Sequence, residues 1–73
     1  MEKPPQKFFA GDFVIGKSYS SEYIQHPMTG IILKESSRSN WWGDNYTRWY
    51  EVLAENGKII EEVEEYIELL IRK

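Results

Sequence analysis

The pair Asn56-Gly57, set between Arg48-Trp49-Tyr50-Glu51-Val52-Leu53 and Lys58-Ile59-Ile60, constrains the fold more than any other feature of the chain. A two-residue type I′ turn needs positive φ at both central positions, and Asn-Gly meets that need at the least steric cost. The spacing predicts a β-hairpin. Its first strand reads with period two, placing Tyr50, Val52 and Ala54 on one face and Trp49, Glu51 and Leu53 on the other, with Glu51 marking the wetter side. A chain of 73 residues is half the usual domain size and hides only about 60% of its unfolded surface, so this hairpin belongs to one small domain. That leaves no room for a deep cleft walled by the chain's own core, and an autonomous enzyme is not expected.

Other strand signals surround the hairpin. Gly11-Asp12 is a turn pair before Phe13-Val14-Ile15, a β-rich run ending near Tyr19. Thr29-Gly30-Ile31-Ile32-Leu33-Lys34 reads as a second strand; with Lys34 leaving the core, Ile31 and Leu33 are expected on the buried face. Residues 18–28, which include His26-Pro27, and residues 36–47, dense in Ser, Asn, Gly and Asp, read as long loops. Residues 1–7 contain Pro4-Pro5 and read as a flexible or partner-docked arm ahead of a single domain at 8–73.

The C-terminal stretch supports two readings. Ile59, Ile60, Val63, Tyr66, Ile67, Leu70 and Ile71 recur at helical spacing, with Glu61, Glu62, Glu64, Glu65 and Glu68 facing away. A helix from Ile60 would leave the hairpin almost no return strand. The alternative keeps Lys58 to Val63 as a strand, gives Glu64 to Ile67 one 3₁₀ turn and closes with a strand at Glu68 to Ile71. This second reading is preferred, although local propensity favours the helix.

Gly11-Asp12-Phe13-Val14, Gly30-Ile31-Ile32-Leu33, Tyr50-Glu51-Val52-Leu53, Asn56-Gly57-Lys58-Ile59 and Tyr66-Ile67-Glu68-Leu69-Leu70-Ile71 occur in an order that resembles the small SH3-like β-barrel proteins of tailed bacteriophages, marine ones especially. The resemblance covers roughly residues 9 to 71 and implies an all-β barrel of about five strands, with the terminal segment pairing back as a strand. It implies no catalytic residues. The Pro-containing arm and the Trp-rich insert at 36 to 49 depart from the pattern. The expected core is Val14, Ile31, Leu33, Tyr50, Val52, Ile60, Ile67 and Leu69 or Leu70.

Trp41, Trp42, Tyr46, Trp49 and Tyr50 place five aromatics within ten residues. Flat rings of this kind hold a peptide, a cation or a stacked base. They also serve simply to cover the open end of a small barrel. Arg38 and Arg48 flank the cluster, so Trp41, Trp42, Tyr46, Trp49, Arg38 and Arg48 are the expected partner-binding residues. No cofactor or metal is expected: cysteine is absent, His26 has no ligand at metal spacing, and the glutamates at 61, 62, 64, 65 and 68 read as a solvated acidic face.

Charge limits the partners. Net charge is −3, with residues 1–50 carrying six basic and five acidic side chains and residues 51–73 three and seven, giving +1 and −4. That balance disfavours sequence-independent nucleic-acid binding. Met1 to Lys7 lacks the apolar region of a secretory signal, and no apolar run is long enough to span a membrane, so a cytoplasmic protein, or one assembled in a virion, is expected. These features predict a non-enzymatic interaction or assembly module that binds a protein partner through its aromatic loop. The alternative is a KOW- or Tudor-like nucleic-acid or regulatory binding module.

Overall fold

The computed structural model describes residues 2–16 and 28–73. Seven strands follow in order: β1 (Phe13–Gly16), β2 (Thr29–Glu35), β3 (Asn40–Trp42), β4 (Asn45–Thr47), β5 (Trp49–Ala54), β6 (Ile59–Val63) and, after a 3₁₀ turn at Glu64–Tyr66, β7 (Ile67–Ile71). Five form an antiparallel sheet in the order β6-β5-β2-β1-β7, and β3 and β4 form a separate two-stranded ribbon. The chain is all-β as expected, and of the two readings of the C-terminal stretch the strand, 3₁₀ turn and strand are observed. None of the described residues forms a helix long and apolar enough to cross a membrane.

The sheet is curled because its two edges are tethered. Flat, five strands spaced about 4.8 Å apart would hold β6 and β7 about 19 Å from each other. The link from Val63 to Ile67 is four residues and reaches about 14 Å at most. Register shifts in the β1–β7 ladder, between Phe13 and Val14, and in the β2–β5 ladder, between Ile32 and Lys34, give the local bend that curling needs. No ladder joins β6 to β7, so the predicted barrel is corrected to a curled, open sheet.

The core is Phe8, Val14, Ile32, Tyr50, Val52 and Ile67, with Ile60 packed against it. Phe8 meets Tyr50 edge to face, ring centroids 5.6 Å apart. Val14, Tyr50, Val52, Ile60 and Ile67 match expectation, whereas Ile31, Leu33, Leu69 and Leu70 are exposed and Ile32 is buried in their place. The β2 error has one cause. Ile32 lies opposite Val52, and Leu33 is the bulged residue, so alternation restarts after it and Lys34 gives no guide to the face that Ile31 occupies. Ile31 instead joins Ile59, Leu53, Phe13 and Ile71 in a cross-strand row on the outer face.

The turns also differ from expectation. Gly57 has φ of +86°, but among the described residues, Asn56 included, none other than glycine has positive φ, so Asn56-Gly57 is not a type I′ turn. Gly57 N–H donates to Ala54 O (2.9 Å) and Ala54 N–H to Lys58 O (2.8 Å), which is a type I turn closed by a left-handed glycine. The expected loop at 36–47 contains the β3–β4 ribbon, whose Gly43-Asp44 turn has positive φ only at Gly43 (+60°), as in a type II′ hairpin. Most of the loop expected at 18–28, with His26, lies outside the described residues.

Candidate functional site

The β3–β4 register sets Trp41 opposite Tyr46 and Trp42 opposite Asn45. Trp41 and Tyr46 therefore share one face of the ribbon, ring centroids 5.2 Å apart and tilted by 60°. Alternation sends Trp42 to the other face, where it is 70% exposed.

Tyr46 is held from beneath by a buried polar chain. Its hydroxyl donates to Glu35 (2.7 Å), and Glu35 pairs with Arg48 (3.4 Å). Arg48 approaches Glu64 (3.7 Å), which accepts a hydrogen bond from the Tyr50 hydroxyl. The Arg48 guanidinium also lies 5.3 Å from the Tyr46 ring centroid and donates to Pro4 O (2.9 Å). Burial raises the Glu35 carboxyl, but the Tyr46 hydroxyl, a Ser39 hydrogen bond and the charges of Arg48 and Lys3 outweigh it and hold the group below its ordinary value. Desolvation, then the bond to Glu64, push the Tyr50 phenol well above the ordinary tyrosine range.

The N-terminal arm lies along this surface and hydrogen-bonds to its own domain. Besides the Arg48 bond to Pro4, Lys7 N–H donates to Glu64 (3.2 Å) and Arg72 donates to Lys7 O (3.1 Å). The Lys3 ammonium lies 5.1 Å from the Tyr46 ring centroid. Between arm, ribbon and 3₁₀ turn opens a cleft of about 720 Å³, lined by Glu2 and Pro4, by Trp41, Asp44, Asn45, Tyr46 and Thr47, and by Val63, Glu65 and Tyr66. That volume is within the range of ligand-binding clefts.

The six expected contact residues are thus divided. Trp41 and Tyr46 meet in the cleft, and Trp42 projects from the reverse of the ribbon. Trp49 sits under Arg38, whose guanidinium is 3.8 Å from the ring centroid and 3.9 Å from Glu61. Arg48, expected at the surface, is 5% exposed and committed to internal carboxylates. The acidic face is corrected as well, because Glu62 and Glu64 are buried. Sequence reasoning missed Glu2, Pro4, Asp44, Glu65 and Tyr66 as cleft residues. They come from three separate segments, and only tertiary packing brings them together; the one local signal was Gly43-Asp44 between aromatic residues, a hairpin turn that would have moved Asp44 beside Trp41. Compared with protein-family models, with curated proteins and with solved structures, the chain matches none.

Proposed function

We propose that this chain is a non-enzymatic binding module that engages a protein partner through the β3–β4 ribbon and the cleft beside it. One observation carries the reading: a short ribbon presents Trp42 at 70% exposure on one face while Trp41 and Tyr46 on the other wall an open cleft. Tryptophan and tyrosine are the residues most enriched at the energetic centres of protein interfaces. The shifted titratable groups support a non-catalytic role, since Asp12, Glu35 and Tyr50 are each engaged in hydrogen bonds that hold the fold and none lines the cleft.

The nucleic-acid reading has Arg38 over Trp49 in its favour. Against it stand Glu2, Asp44 and Glu65 around the cleft, which repel phosphate. Affinity capture from a lysate of the native source, with wild type and Trp42→Ser side by side, tests the proposal. The expected result is a protein retained by wild type and lost by Trp42→Ser, at an unchanged unfolding midpoint. Equal capture by both chains, or salt-sensitive quenching by oligonucleotides with no protein captured, overturns it.

A further inference from the structure

We infer that the cleft recognises a cationic side chain, lysine or arginine, carried on an extended segment of the partner. The inference rests on the cleft being the partner site. Among the described residues its lining joins three carboxylates from three segments, Glu2, Asp44 and Glu65, and contains no lysine or arginine. Trp41, Tyr46 and Tyr66 line the same cleft. An aromatic face carries the negative end of the ring quadrupole, so rings and carboxylates attract the same kind of ligand and disfavour an anion together.

The protein already uses this chemistry next to the cleft, where Lys3 and Arg48 approach the Tyr46 ring at 5.1 and 5.3 Å. With its hydroxyl on Glu35 and its ring approached by Lys3 and Arg48, Tyr46 forms one wall of a cleft that Trp41 and Tyr66 also line. The net charge of −3 adds a general attraction for a basic segment. A cleft of about 720 Å³ exceeds what one ammonium or guanidinium group fills, and its open form suits a chain running past on both sides of that group. The N-terminal arm thereby gains a role, because Glu2 and Pro4 form one wall and the Arg48 bond to Pro4 O fixes it.

The test is titration of the full chain with a capped hexapeptide containing one arginine and one lysine, followed by tryptophan fluorescence and amide chemical shifts. The same peptide with glutamine at both positions, and choline, serve as controls. The expected result is binding by the basic peptide alone, with shifts centred on Trp41 and Tyr66. Glu65→Lys and Tyr66→Ala should each weaken it roughly three- to tenfold, and raising salt to about 0.3 M should weaken it further. Glu65→Gln, the milder change at the same exposed position, should weaken it in the same direction. Equal binding of the glutamine peptide, shifts that map elsewhere, or indifference to Glu65→Lys overturns the inference. Choline binding more tightly than the hexapeptide overturns the assignment to a peptide. A captured partner lost by Trp42→Ser but kept by Glu65→Lys sinks the cation inference and leaves the partner site standing, whereas a partner indifferent to both sinks both.

Discussion

Arg48 is the residue on which most of the polar interior converges. It stands between Glu35 and Glu64, and through them it connects Tyr46 at the cleft to Tyr50 in the core. Removing one member of a buried ion pair costs more than the pair contributes, because the remaining charges stay desolvated without compensation. Arg48→Ala leaves Glu35 and Glu64 without their shared counter-charge and should cost about 3–5 kcal/mol, read from urea unfolding. Adding Glu64→Gln to Arg48→Ala should recover part of that loss, and a double variant less stable than the single one would contradict this account. Gly30 constrains the fold differently. A Cβ there would lie 2.5 Å from Val52 Cγ1 and 2.9 Å from Leu53 O, where β2 and β5 approach each other over the core. Gly30→Ala therefore has to push the strands apart and should lower stability by about 1–3 kcal/mol; an unchanged urea midpoint would show that the strands yield without cost.

The hairpins separate what is read locally from what is not. Asn56-Gly57 was legible as a turn because glycine there meets a backbone requirement. The turn type was not legible, since it depends on Asn56 keeping negative φ while its side-chain oxygen accepts the Lys58 N–H at 3.0 Å. Gly57→Ala meets no neighbour within 4 Å, so its cost is backbone strain alone, about 1–2 kcal/mol. Asn56→Ala, which removes only the exposed bond to Lys58, should cost less, and the reverse order in thermal unfolding would refute the turn assignment. Faces were legible on β5, where period two runs unbroken from Trp49 to Ala54. They were not legible on β2 and β7, where bulges reset the alternation and adjacent apolar residues satisfy either parity. The aromatic cluster was visible in the sequence as composition. Its division among cleft, ribbon reverse and Arg38 stack follows from a ribbon that a count of turn-forming residues disguised as a loop.

For the molecule as a whole, the two chain ends are tied together by one carboxylate. Asp12 is buried and accepts from Phe9 N–H (2.9 Å) and Lys73 N–H (3.2 Å), and it pairs with Arg72 (3.3 Å). The Phe9 hydrogen bond, opposed by burial and joined by Lys73 and Arg72, holds its carboxyl below the ordinary value. Glu35 is lowered too. A carboxyl lowered in the folded state stabilises fully above its unfolded pKa, about 4, and loses that contribution as pH falls through the folded value. The raised Tyr50 phenol acts at the opposite end, since the unfolded tyrosine ionises near pH 10 while the folded one resists, so stability drops above that pH. Asp12→Asn removes the titration that joins the ends. It should lower the midpoint at pH 7, and the gap to wild type should close only as pH falls through the lowered folded pKa of Asp12, below which both chains carry a neutral group at position 12. Parallel curves for the two proteins across the acid range would mean that Asp12 holds the termini by shape and not by charge.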